Sequence, residues 1–220
     1  MYTTKNLFDL NHTIAKEYLE KYEYPWDALP EIKNFIKELI EKLDKGEYIE
    51  VRKNVWAHKS AKIAASAELN GPCIIGPDSE IRHCAYIRGN AIIGAGCVIG
   101  NSCEVKNAVI FDKSQVPHFN YVGDSILGFH AHMGAGSIVS NLKSDGKNVT
   151  IRDGDRKVET NLRKFGAIIG DNVEVGCNSV LNPGTVVGKN ANIYPLARVR
   201  GLVPEQSIYK DEGVVVEKVL

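Results

Sequence analysis

The sequence predicts a mainly β protein: a parallel β-helix of hexapeptide repeats, with an N-terminal helical cap and an extruded β-hairpin. Three observations predict it. An apolar residue recurs at every sixth position through most of the chain. A polar, turn-bearing insertion breaks that period at about 142–165. The first 46 residues carry instead the three- and four-residue spacing of amphipathic helices.

The helical segment comes first and occupies residues 1–50. Ile14, Tyr18, Leu19 and Tyr22 form the apolar side of a first short helix. In a second, Ile32, Phe35, Ile36, Leu39, Ile40 and Leu43 make one apolar stripe. Pro30 suits its first position, where a missing N–H costs no hydrogen bond, and Gly46 is the expected stop. The stripes need a surface to pack on. The expected one is an open end of the solenoid, whose unpaired strand edges they would cover.

The repeats define the next unit, residues 51–204. Ile63, Leu69, Ile75, Ile81, Ile87, Ile93, Ile99, Val105 and Phe111 are each six apart. Four residues after each of the first eight stands a compact residue: Ala67, Cys73, Ser79, Ala85, Ala91, Cys97, Cys103 and Val109. The period resumes at Leu127, Met133 and Val139, and again from Ile169 through Val175, Leu181, Val187 and Ile193 to Val199. One hexad makes a short strand and a turn, and three close one coil, so residues about 18 apart stack. From Phe111 to Leu127 is two residues short of three hexads. That places a phase break at QVPHFNYVGDS, residues 115–125. In the insertion, Val149 and Ile151 face Arg156 and Val158 across Asp153-Gly154-Asp155, the pattern of a hairpin. The tail, 205–220, reads as a strand or two.

Composition removes several function classes. Lys+Arg and Asp+Glu both total 27 in 220 residues, so no net positive charge invites nucleic acid or an anionic membrane. Aromatics are 8%, too few for a base-stacking platform. No apolar run has membrane-spanning length, and the expected location is the cytoplasm. The five cysteines are odd in number and form no CxxC pair, so they read as reduced thiols; Cys73, Cys97 and Cys103 fill compact-residue slots.

Candidate chemistry gathers at the phase break. His118 lies in it, with His130 and His132 close behind, and histidine is the usual general base near neutrality. His12, His58 and His83 read as solvated surface histidines. Glu104 and Lys106 precede His118 by about one coil, Arg88 precedes Lys106 by another, Tyr121 lies in the break, and Asn141 follows about one coil later. Arg and Lys together suit an anionic group, most simply a phosphate.

The segment GNSCEVKNAVIFDKSQVPHFNYVGDSILG, with MGAGSIVSNLKSDGK and RKFGAIIGDNVEVGCNSVLNPGTVVG, resembles the acetyltransferase half of the bifunctional enzymes that make UDP-N-acetylglucosamine. It is closer still to the C-terminal domain of archaeal-type sugar-1-phosphate nucleotidylyltransferases with amino-sugar acetyltransferase activity. The match spans roughly residues 69–204, and H-x-x-Y-x-G-D and the Asn of SNL are its most specific parts. The resemblance implies a left-handed β-helix, trimeric, with active sites between subunits. It implies acetyl-CoA as co-substrate, an amino-sugar 1-phosphate as acceptor, and no metal. By position, His118 matches the catalytic base, and Arg88, Lys106, Tyr121 and Asn141 match residues that hold the sugar phosphate. Glu104 matches an acidic residue at that pocket, Lys147 a lysine of the archaeal-type enzymes, and Ala135 and Cys177 the acetyl-CoA contacts. Backbone N–H groups near Gly134–Gly136 are the expected oxyanion donors. His132 and Thr150 depart from the family pattern, standing where relatives have an asparagine and a second lysine.

Two other readings accompany this one. One is a non-catalytic sugar-phosphate or nucleotide-sugar binding protein. The other is a zinc enzyme like the gamma-class carbonic anhydrases, using His83, His118 and His130 or His132, although Gly123 stands where that family pairs a second histidine. Nucleotidyl transfer is not expected, because the first 50 residues hold one glycine, Gly46, and so no Gly-rich phosphate loop.

Overall fold

The computed structural model describes residues 2–210 and 213–218. The chain winds into a parallel β-helix with three faces. The front face stacks Glu68–Leu69, Tyr86–Ile87, the first half of Glu104–Ile110, the first half of Tyr121–Leu127, Ile138–Val139, Val180–Leu181 and Arg198–Val199. The rear face runs from Lys62–Ile63 to Ser207–Tyr209, so the parallel coil continues past residue 204. The third face runs from Val55–His58 to Leu202–Val203. Ile81, Ile87, Ile93 and Ile99 point inward with Ala85, Ala91 and Cys97 and fill the core.

A left-handed backbone residue turns most corners. Along the corner from rear to front face these are Cys84, Ser102, Phe119, Gly136, Asn178 and Leu196. Asn, Asp and Gly recur in such positions because they tolerate positive φ best. Phe119 and Leu196 are bulky exceptions. Stacked coils approach so closely that glycine becomes obligatory in places: a Cβ on Gly100 would lie 1.5 Å from the Pro117 carbonyl oxygen.

The phase break differs from the sequence reading. Partners are 18 residues apart at Ile81 and Ile99 but 17 apart at Ile93 and Ile110, and again at Ile110 and Leu127. The missing residues are therefore one at each of two corners, between Val105 and Ala108 and between Val122 and Ser125. They do not lie in a single gap at 115–125. The two strands continue across these shortened corners, which fuses the front and third faces into one 14-stranded sheet. Ile110 takes the inward slot assigned to Phe111, and Ala108 that assigned to Val109; Phe111 and Val109 turn outward instead. The sequence misleads here because Ile110 and Phe111 are both large and apolar.

The helical segment covers a flank rather than an end. Its Leu7, Leu19, Trp26, Leu29, Ile32 and Ile36 pack on Ile74, Ile92, Val109, Phe111, Ile126, Ile168 and Val186, the outward residues of the third face. Phe8 meets Phe111 at 4.9 Å between rings. The first helix is broken into short turns at Thr4–Leu7, Leu10–His12 and Lys16–Leu19. Pro30 lies in a 3-10 turn, Pro25–Glu31, before the helix Ile32–Lys42, which stops short of Gly46. Asp171 fastens the segment, accepting from the Asp9 and Phe129 N–H groups at 2.7 and 2.8 Å. Sheet ends are closed by antiparallel strands instead: Tyr48–Arg52 on Val55–His58, and Val215–Glu217 on Ser207–Tyr209.

The hairpin forms as read, Thr150–Asp153 against Arg156–Glu159. It folds back on the coils. Val149 and Ile151 are buried, and Phe165 lies 6.2 Å from Trp26.

Candidate functional site

Two columns of residues flank the corner from rear to front face. On the front side, in-register pairing stacks Tyr86, Glu104, Tyr121 and Ile138. Lys106 pairs with Gly123, and the Arg88 N–H donates to the Val105 carbonyl, setting Arg88 one coil before Lys106. These strands bring together five of the residues expected to hold a sugar phosphate. Arg88 Nη1 meets Glu104 Oε1 at 2.8 Å, and this bond and the carboxylate charge push the guanidinium pKa up. Asn141 Nδ2 donates to the Tyr121 phenol at 3.2 Å. Burial pushes that phenol above its ordinary 10.0, and the Asp124 and Glu104 charges add to the effect, so it stays neutral.

Asp124 is the residue the sequence reading left out. Its side chain is only 7% exposed, and it meets Lys106 Nζ at 3.2 Å, Asn107 Nδ2 at 2.9 Å and Asn141 Nδ2. It stands 18 residues after Lys106 and closes the quoted H-x-x-Y-x-G-D motif, so two signals pointed to it. Both shortened corners end here: Lys106-Asn107 turns one and Gly123-Asp124 the other, with φ of 47° at Asn107 and 50° at Asp124. A Cβ on Gly123 would lie 2.5 Å from the Tyr121 hydroxyl and 3.0 Å from Asn141 Nδ2, so glycine leaves the room this cluster occupies.

The other column belongs to His118. The Phe119 N–H donates to Asn101 O, Gly136 N–H to His118 O, Asn178 N–H to Ala135 O and Leu196 N–H to Cys177 O, each at 2.9 Å. His118, Ala135 and Cys177 thus lie on one edge in successive coils. Buried Asn120 holds that edge in shape. Its Oδ1 accepts the His118 N–H at 3.0 Å, and its Nδ2 donates to Gly134 O at 2.8 Å. Asn120 too was missed. The exposed His118 imidazole makes no hydrogen bond or ion pair among the described residues, and it lies around the corner from Tyr121. Of the expected oxyanion donors, the Gly134 and Gly136 N–H groups are spent on Val175 O and His118 O. Only the Ala135 N–H donates to no described group.

Lys147 is not brought into the cluster. It sits exposed in the insertion, where its own N–H donates to Asp145. His132 bonds Glu174 at 2.8 Å on the rear face, and His130 turns a different corner from His118. The histidines of the zinc reading therefore do not converge within one chain. Among the described residues no group of three His, Cys, Asp or Glu side chains is placed to hold a metal ion.

The profile of the bacterial transferase hexapeptide, six repeats, matches residues 166–201, and that of the GMPPB C-terminal domain matches residues 69–161. Residues 166–201 thus carry the repeats of the bacterial transferase hexapeptide. It is 33% identical over 199 residues to the bifunctional protein GlmU of Methanococcus maripaludis strain C5, covering 89% of this chain and 48% of that protein. GlmU of Methanococcus vannielii is 34% identical over 197 residues, covering 88% of this chain and 47% of that protein. The bifunctional sugar-1-phosphate nucleotidylyltransferase/acetyltransferase of Sulfurisphaera tokodaii is 34% identical over 163 residues, covering 66% of this chain and 41% of that protein. The chain spans about half the length of the GlmU relatives or less.

Proposed function

We propose that the protein is an acetyl-CoA-dependent N-acetyltransferase acting on an amino-sugar 1-phosphate, glucosamine or galactosamine 1-phosphate. One observation carries this reading: two cations and two carboxylates, Arg88–Glu104 and Lys106–Asp124, are stacked with Tyr121 and Asn141 beside the His118 edge. A charge-balanced cluster suits a ligand bearing both signs. Arg88 and Lys106 face the phosphate, Glu104 faces the ammonium, and Tyr121 and Asn141 orient the ring. The name of the Sulfurisphaera tokodaii relative, a bifunctional sugar-1-phosphate nucleotidylyltransferase/acetyltransferase, supports the same class.

His118 takes the proton from the substrate ammonium. The freed amine attacks the thioester carbonyl carbon and forms the C–N bond. The C–S bond then breaks, the attacking nitrogen gives up its second proton to the leaving coenzyme A thiolate, and His118 returns the first to solvent. The Ala135 N–H is the backbone donor placed for the oxyanion, on the edge that carries His118. Lys147 enters only if the insertion approaches a neighbouring subunit's site. The assembly is a homotrimer with sites between subunits. Exposed apolar Phe119 and Leu196 on the His118 corner, 60% and 74% exposed, support a covered edge there. Five free cysteines fit a reducing cytoplasm.

The test is coenzyme A thiol release from acetyl-CoA with glucosamine 1-phosphate and galactosamine 1-phosphate. Turnover is expected with one or both, and His118→Ala should lower it by about 10²–10⁴-fold. Binding of either sugar phosphate without turnover would leave the non-catalytic reading; a fully active His118→Ala enzyme would remove the role of His118.

A further inference from the structure

We infer that Asp124 is a positioning residue, whose buried carboxylate sets Lys106 and Asn141 for the sugar phosphate. The inference rests on the reading of the site given above. Asp124 touches no solvent-facing ligand position itself, being 7% exposed at its side chain. Its two oxygens are nevertheless fully used. Oδ1 accepts from Asn107 Nδ2 at 2.9 Å, and Oδ2 accepts from Lys106 Nζ at 3.2 Å and from Asn141 Nδ2. Those donors come from adjacent residues of one strand in the preceding coil and from the start of the insertion. A lysine on a flexible four-carbon stem has no fixed position by itself. A buried counter-ion gives it one, and uses only part of the ammonium's donor capacity.

The same carboxylate turns Asn141. With its Nδ2 held by Asp124 and the Tyr121 phenol, the Asn141 side-chain Oδ1 is left for a sugar hydroxyl or ammonium. Asn107 extends the network backward, since its Nδ2 also donates to Leu29 O at 3.3 Å in the helical segment. The Gly166 N–H donates to the Asp124 carbonyl at 2.8 Å, fixing the corner at the return from the insertion. Two shortened corners, the insertion and the helical segment therefore meet on one acid.

Asp124→Asn is the discriminating change. Asparagine keeps the left-handed backbone that position 124 needs, so the corner survives. Its amide cannot accept from Lys106 and Asn141 at one oxygen and Asn107 at the other. The expected result is a KM for the sugar phosphate raised at least about tenfold, the loss of a charged hydrogen bond. The KM for acetyl-CoA should not change, which a general loss of structure would not allow. In an ultraviolet titration of tyrosinate, differenced against Tyr121→Phe, the Tyr121 component should move to lower pH. Lys106→Met removes the same ion pair from its other end while leaving Asp124 in place, and should raise the sugar-phosphate KM as well. A folded Asp124→Asn protein with unchanged sugar KM, or with an unmoved Tyr121 titration, overturns the inference. If the wild type acetylates no amino-sugar phosphate while the Tyr121 component moves as stated, the network stands and the acetyltransferase reading falls.

Discussion

His118 is exposed and free at its imidazole, whereas every residue of the phosphate cluster is bonded to another. The contrast follows from position. His118 ends a rear-face strand at a corner, and Arg88, Glu104, Lys106 and Tyr121 alternate outward along front-face strands, where neighbours one coil away lie in contact. The cysteines divide in the same way. Cys73, Cys97 and Cys103 are buried, while Cys84 and Cys177 are exposed. An aromatic disulfide reagent should therefore leave three thiols untouched until the protein is unfolded. Burial pushes the Cys73 and Cys97 thiols up to about 12 from the ordinary 9.0. The folded state holds these protons more tightly than the unfolded chain, so stability is full below about pH 9. It should fall as pH rises from there toward about 12. Thermal melts across that range check this, and Cys97→Ala should flatten the slope.

At the scale of elements, the helical segment acts as a buttress to the site. Trp26 is buried against Tyr24, with rings 4.9 Å apart, and it approaches Phe165 at the return of the insertion. Three residues on, Leu29 offers its carbonyl to Asn107 of the Asp124 network. Trp26→Ala should destabilise the protein by about 3–5 kcal/mol, the usual cost of emptying a buried aromatic site. It should also raise the sugar-phosphate KM, because the loosened segment no longer holds Asn107. Denaturant melts and steady-state kinetics on one preparation separate the two effects.

At the scale of the molecule, the solenoid gives a stack of coils whose side carries the candidate site. One side is covered by the helical segment and one corner exposes Phe119 and Leu196 together. If that corner is the subunit contact, light scattering should give three times the 24.2 kDa of the chain. Leu196→Glu should lower that mass toward one chain and reduce turnover with it, since sites between subunits are lost. A wild-type mass of one chain would remove the trimer.

The sequence alone determined the parallel β-helix, the hairpin and most of the site. A period of six fixes which residues point inward, and coil stacking then fixes which polar residues become neighbours; Arg88, Glu104, Lys106, Tyr121 and Asn141 met as their spacing required. Three things were decided only by tertiary structure. The helical stripes could have packed on any apolar surface, and Ile74, Ile92, Val109 and Ile126, outward on one face, supplied it on a flank. The two-residue shortfall was visible, but its division between two corners was not, because Ile110 and Phe111 satisfy the same pattern and only the partner strand selects between them. Asp124 was marked by its motif and by its spacing from Lys106, but its role was not legible. A carboxylate acquires its role from the three donors that a shortened corner turns toward it, and periodicity counts residues without showing where a corner turns them.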